Sequence, residues 1–341
     1  FTGLNDGNYS YRAYVVDAAS NMNRTESRNF TVDTVAPTIA YVEPTVSNNS
    51  FINRSFIMVN TSVTEAGESS AFINFNSSLV GYWRFEDDAD TNASDFTSYN
   101  NNGSLVGFGC TTADCNLTGG LGGVASGFVS SGKRGKALAF DGVNNSVNVS
   151  HATNLNLTNI YSIEAWVRVA GNGSVASGGG PTPGIVVKGN VGNRTYLLAY
   201  DQGGNVSTQN NSAGSWFGDF ESGDGNDNIC TSNTTTLTLN QWYHLVYVWN
   251  SSHQILYDNG VLRNTCNQTG KIPTSDSRSL IIGKTAVNED IYFNGSIDEV
   301  KIWNRVLSAD EINASFNAGA YRLFRNFSGL PDANYSFNVS V

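Results

Sequence analysis

The chain has 341 residues and a formal net charge of −10, with 14% of residues charged and 40% hydrophobic. Apart from Lys133-Arg134-Gly-Lys136, its 19 Lys and Arg residues are scattered singly, which excludes nucleic acid as a partner, since phosphate binding needs clustered cations. No apolar run approaches the roughly 18 residues of a membrane helix, so no membrane segment is read here.

Strand formers alternate with polar residues almost throughout, and 3.6-residue periodicity is nearly absent, so the fold class is all-β. The opening, Phe1-Thr-Gly-Leu-Asn, lacks the basic head and apolar stretch of a signal peptide and reads as the middle of a domain. Residues 1–35 hold a turn before Tyr9, a strand pattern from Tyr9 to Val16, and a second from Ser27 to Asp33. Residues 36–78 add strand patterns at Thr38–Val42, Phe56–Val63 and Ala71–Phe75. A long β-rich stretch fills residues 79–318. Residues 319–341 close with Phe327-Ser-Gly-Leu-Pro-Asp-Ala-Asn-Tyr-Ser-Phe-Asn-Val-Ser-Val341.

Those last 15 residues repeat the first 15 at an offset of 326, with 8 identities, where chance gives about one. The repeated piece resembles a prokaryotic immunoglobulin-like domain at the turn into its penultimate strand, with Tyr9 and Tyr335 placed as in a tyrosine corner. On that resemblance, residues 1–35 are the last strands of a preceding immunoglobulin-like domain. Residues 36–78 begin another, which resumes at 319–341 and awaits its final strand from the next repeat or from a neighbouring subunit.

Residues 79–318 carry, in order, Leu79-Val-Gly-Tyr-Trp-Arg-Phe-Glu86, Lys136-Ala-Leu-Ala-Phe-Asp-Gly142, Tyr161-Ser-Ile-Glu-Ala-Trp-Val167, Gln241-Trp-Tyr-His-Leu-Val-Tyr-Val248, Leu280-Ile-Ile-Gly283 and a close running from Phe293 to Ile312. With these motifs the stretch resembles the laminin-G-like jelly rolls of the concanavalin A-like lectin and glucanase superfamily. The residues also make a sandwich by themselves: Leu138, Phe140, Ile163, Ala165, Val167, Leu245, Tyr247 and Trp249 alternate as inward faces. Ser308 and Glu311 form a capping box that predicts one short helix.

Asn-x-Ser/Thr acceptors for N-glycans number 25, against about 8 expected by chance from this composition. They are Asn8, Asn23, Asn29, Asn48, Asn53, Asn60, Asn76, Asn92, Asn102, Asn116, Asn144, Asn148 and Asn156, then Asn172, Asn193, Asn205, Asn210, Asn233, Asn250, Asn267, Asn294, Asn313, Asn326, Asn334 and Asn338. Several fall on outward strand phases: Asn29 beside Phe30 and Val32, Asn148 between Val147 and Val149, and Asn338 between Phe337 and Val339. Glycans would supply the solubility that the few charges do not.

The four cysteines favour two local disulfides, Cys110–Cys115 and Cys230–Cys266, over zinc, which needs tight ligand pairs. Disulfides place the chain outside a reducing cytosol.

No Glu-x-Asp-x-Glu run supplies the paired carboxylates of a glucanase, and His151, His244 and His253 lie near no nucleophile motif, so an enzyme is not expected. No cofactor is required. Acidic loops leave room for Ca²⁺, and the resemblance implies Asp95 and Asp298 as ligands, although Phe96, Ser98 and Tyr99 depart from the related pattern. Trp216 and Phe217 in a Gly-rich loop are candidates to stack on a carbohydrate ligand.

The expectation is therefore a repeat of an extracellular, N-glycosylated filament or giant surface protein, more archaeal than bacterial in its sequon density. Its partners are copies of itself, head to tail. The alternative is a calcium-dependent, carbohydrate-binding adhesin.

Overall fold

The computed structural model describes residues 2–65, 69–87, 92–108, 127–171, 182–201, 214–232, 237–286, 289–316 and 321–340. Two large antiparallel sheets dominate. One runs, strand beside strand, through Cys230–Thr231, Trp216–Asp219, Tyr196–Tyr200, Gly184–Lys188, Leu280–Ile282, Ser146–Val149, Gly103–Val106 and Asn92–Ala93. The other runs through Gly127–Val129, Ala137–Asp141, Asn294–Trp303, Tyr161–Val169, Trp242–Trp249, His253–Asp258 and Val261–Asn267. Its central strand, Asn294–Trp303, has two partners along one flank. Ala137–Asp141 pairs with its first half and Leu79–Trp83 with its second.

The sheets face each other across a jelly-roll core. All eight residues read as inward, from Leu138 and Phe140 to Tyr247 and Trp249, lie in that core. Gly283 shows why a glycine closes Leu280-Ile-Ile-Gly. Its φ is +83°, and a Cβ there would sit 2.2 Å from the Phe140 ring. Gly283→Ala is expected to cost more than about 2 kcal/mol through overpacking and backbone strain; an unchanged urea midpoint would contradict this packing.

A smaller sandwich sits beside the jelly roll. Phe56–Thr64 lies between Thr38–Tyr41 and Tyr321–Ser328, and this three-stranded sheet covers the pair Phe72–Phe75 and Phe337–Ser340. Ile57, Val59, Val63, Ile73, Phe75, Leu323 and Phe327 fill the space between. Helix Ala309–Phe316 links the two bodies. The Ser308 amide donates to Glu311 Oε2 at 3.0 Å and the Glu311 amide to Ser308 Oγ at 3.3 Å, a capping box. Arg305 then pairs with Glu311 at 2.8 Å and donates to the Ile73 carbonyl at 2.7 Å, tying the jelly roll to the smaller sandwich.

Residues 7–32 form a separate two-stranded ribbon, pairing Gly7–Tyr11 with Arg28–Val32 and Tyr14–Val16 with Met22–Arg24. The sequence placed Phe30 on an inward face, yet it is 41% exposed. The described residues put no second layer over this ribbon, so alternation there has no core to point into.

Candidate functional site

The small sandwich offers an open strand edge. Phe337–Ser340 is paired on one side with Phe72–Phe75, and its other edge has no strand partner among the described residues, although the Val339 backbone meets the Tyr41 hydroxyl and the Tyr41 ring lies 5.7 Å from that of Phe337. Unpaired N–H and C=O groups along such an edge are a template for another strand. Phe337, Val339 and Tyr335 pack only partly against the sandwich core.

The ribbon at residues 7–32 repeats the local geometry of that edge. Tyr9 Oη donates to the Asn5 carbonyl at 2.8 Å, and Tyr335 Oη donates to the Pro331 carbonyl at 2.9 Å. Both bonds span four residues, the signature of a tyrosine corner. In the ribbon, Tyr9 is opposite Phe30 and Tyr11 is opposite Arg28. Tyr11, Tyr14, Val15, Val16 and Met22 are exposed, apolar side chains distributed over both faces of the ribbon.

The two residues implied as calcium ligands differ in their hydrogen bonding. Asp95 Oδ1 accepts the amides of Tyr82 and Thr97, while Oδ2 accepts Thr97 Oγ1 and the Asn101 amide, all at 2.8–2.9 Å. These donors occupy the lone pairs a cation would need, so Asp95 is an organiser of its own loop. Asp298 is different. Its Oδ2 accepts the Lys133 and Arg134 amides at 2.9 Å, but its buried Oδ1 has no partner. Burial, and then the neighbouring Glu299, push its carboxyl up to about 8, with Glu86 adding to the effect. Glu86 accepts the Lys136 amide from the same turn at 3.0 Å. Asp298 thus keeps a buried carboxylate oxygen open, which Asp95 does not. Among the described residues no three His, Cys, Asp or Glu side chains gather as a metal cluster.

A raised carboxyl has a definite pH signature. Folded Asp298 keeps its proton up to about pH 8 and releases it on unfolding, so the native state binds more protons between about pH 4 and 8. Stability from this group is full below pH 4 and declines as pH rises towards 8. Asp298→Asn is expected to remove that slope of up to about 1.4 kcal/mol per pH unit. Urea midpoints at pH 5 and 8 test this, and a slope retained in the variant would refute it.

The expected sugar platform is corrected. Trp216 is 0% exposed and belongs to the jelly-roll core, while Phe217 packs with Val187, Leu197, Ala199 and Ile281 on the opposite face of its sheet. The segment is a strand buried on both faces. Glycine at 218 permits the approach, because a Cβ there would sit 2.6 Å from the Tyr247 ring.

Twenty of the sequon asparagines are described, and sixteen are exposed. Asn156 and Asn250 are half-buried. Two are corrected as acceptors: Asn60 is 5% and Asn294 4% exposed. Each lies on the central strand of a sheet, and Asn60 Nδ2 already donates to the Glu43 carbonyl at 2.6 Å. Asn116, Asn172, Asn205, Asn210 and Asn233 lie outside the described residues, as do Cys110 and Cys115. Cys230 and Cys266 form a disulfide. It joins the edge strands of the two jelly-roll sheets and suits an oxidising compartment. No described helix is long and apolar enough to cross a membrane.

With two facing sheets, a short closing helix and this core in view, the comparisons place the chain. Residues 141–313 match the Concanavalin A-like lectin/glucanases superfamily, and the chain belongs to it. A human protein, Adhesion G-protein coupled receptor D1, is 36% identical over 81 residues, covering 23% of this chain and 9% of that protein. The chain thus spans under a tenth of that curated relative. Among solved structures, domain 4 of AbnA, a GH43 extracellular arabinanase from Geobacillus stearothermophilus in complex with arabinotriose, is similar. Its TM-score is 0.51 at 18% identity, covering 73% of this chain and 100% of that one. The binding domain of Paraclostridial Mosquitocidal Protein 1 gives a TM-score of 0.51 at 16% identity, covering 71% and 52%. These two likenesses concern the fold.

Proposed function

We propose that the chain is a structural repeat unit of a heavily N-glycosylated extracellular filament or giant cell-surface protein. Immunoglobulin-like domains join the units head to tail, and the jelly rolls project from them. The observations that carry this reading are an edge of Phe337–Ser340 with no strand partner among the described residues and, elsewhere in the chain, a ribbon at residues 7–32 that has the form of the missing piece. Adding the 326-residue offset to the ribbon's register puts equivalents of Phe30 and Arg28 across from Tyr335 and Phe337. A continuing polypeptide supplies that strand without redundancy. A strand from a separate subunit would first have to leave its own Gly7–Tyr11 partner. A head-to-tail contact that does not close on itself builds a filament. Sixteen exposed sequon asparagines support a glycan-coated surface. Electron microscopy of the native material tests the reading by whether the units stack along an axis.

A second reading is a calcium-dependent, carbohydrate-binding adhesin. It is favoured by the unpartnered Asp298 Oδ1 near Glu86 and by the likeness to a domain solved with arabinotriose. A glycan array with and without EDTA separates the two, since flat binding in both conditions removes this alternative.

A further inference from the structure

A cleft of about 380 Å³ opens where the jelly roll meets the small sandwich. Its volume falls among small-molecule sites, which run from about 300 to 1,000 Å³. One wall is the outer face of the Phe72–Phe75 and Phe337–Ser340 pair; the other is the segment from Phe96 to Ser98. Phe72, Tyr82 and Phe96 form an edge-to-face series, with centroids 5.6 and 6.0 Å apart. Asn74, Thr97 and Asn338 also line the space, with Asn74 Oδ1 accepting the Leu79 amide and Thr97 Oγ1 donating to Asp95, and no described charged side chain lines it.

Phe96 departs from the related loop pattern, and the residue is 69% exposed. Arg84 holds it from one side at 5.2 Å. On the facing wall, exposed Asn338 begins the acceptor Asn338-Val-Ser340, and both Asn338 and Ser340 line the cleft.

We propose that the cleft holds the first sugars of an N-glycan attached to Asn338, with a neutral pyranose ring on the face of Phe96. The inference rests on the glycosylation in the reading above. Aromatic faces attract the polarised C–H groups of a sugar ring, and amides and hydroxyls bond its hydroxyl groups. A lining without charge selects a neutral sugar over an anionic one. The covalent link supplies an effective concentration in the millimolar range, so a site of weak intrinsic affinity is filled. The glycan then braces the smaller sandwich against the jelly roll.

The test compares the secreted glycoprotein with its Phe96→Ala, Asn338→Gln and doubly substituted variants, by glycopeptide mass spectrometry and thermal unfolding. Phe96 is exposed enough for the alanine variant to fold. Sugar is expected on the Asn338 peptide. Phe96→Ala should lower the melting temperature by about 2–4 °C when Asn338 is glycosylated, and by under about 1 °C in the Asn338→Gln background. Equal shifts in both backgrounds, with Asn338 occupied, overturn the docking. A bare Asn338 beside occupied sequons elsewhere also overturns it, while leaving the glycoprotein reading intact. A chain bare at every sequon removes that reading too.

Discussion

Lys301→Met is expected to destabilise the fold by about 3–5 kcal/mol, because it leaves a buried carboxylate without its cation. Lys301 Nζ lies 3.1 Å from Glu164 Oε1 and 3.4 Å from Glu299 Oε2, and the Lys301 and Glu164 side chains are almost wholly buried. The rings of Tyr82 and Phe72 cover the ammonium, with centroids 4.8 and 5.2 Å away. Tyr82 Oη donates to Glu299 Oε2 at 2.7 Å, and His244 Nε2 is 3.5 Å from Glu164 Oε2. Burial alone would raise the Glu164 carboxyl, but Lys301 and His244 together hold it at about 2. Burial keeps His244 below its ordinary value despite Glu164, so the imidazole is neutral at pH 7.

The sign for Glu164 is opposite to that for Asp298. Its folded value is depressed, so its contribution is present above the unfolded value of 4.5 and is lost as pH falls towards 2. Glu164→Gln should resemble Lys301→Met in cost and should flatten the acid limb of stability. The double variant Glu164→Leu/Lys301→Met should recover part of the loss, because it removes the buried Glu164 charge while Glu299 keeps only Arg84 at 3.9 Å. Urea unfolding of the three proteins measures this. A Lys301→Met loss under about 1 kcal/mol would mean that the network does not stabilise the junction.

Removing the Cys230–Cys266 disulfide is expected to cost about 4 kcal/mol on the chain-entropy account. It closes a loop with a sequence separation of 36. Cys230 lies in Cys230–Thr231 at the edge of one sheet and Cys266 in Val261–Asn267 at the edge of the other, so the bond pins two sheets that share no backbone ladder. Cys230 is wholly buried, so the bond is best removed by substitution rather than by reduction of the native protein. Cys230→Ala/Cys266→Ala should lower the guanidinium midpoint and steepen the slope, because the unfolded chain without its cross-link exposes more surface. Equal midpoints would show that the edges are held by the core alone.

Much of this architecture is legible in the sequence where local pattern and tertiary role coincide. Leu138, Phe140 and Ile163 alternate because each strand has one face on the jelly-roll core. Ser308 and Glu311 act within a single turn, so their spacing suffices to place the helix start. The two tyrosine bonds also follow from short range, since each reaches back only four residues.

The misreadings have tertiary causes. Trp216 and Phe217 sit among glycines that suggest a loop, but their strand is covered on both faces, so alternation carries no exposure signal. A sequon is three residues long and says nothing of strand order, and Asn60 and Asn294 fall on central strands. Asp95 matches a loop spacing, while its commitment to the Tyr82 and Asn101 amides appears only once the loop is folded. Phe96 reads in sequence as a departure from a calcium loop. In the fold its neighbourhood with Phe72 and Tyr82 gives it a different place.

The most direct measurement is electron cryomicroscopy of the native material. The reading predicts a filament with one regular axial step per repeat, a strand of the Met22–Val32 type paired to the free edge of Phe337–Ser340, and glycan density on many exposed asparagines. Single dispersed particles whose Phe337–Ser340 edge stays open would contradict it.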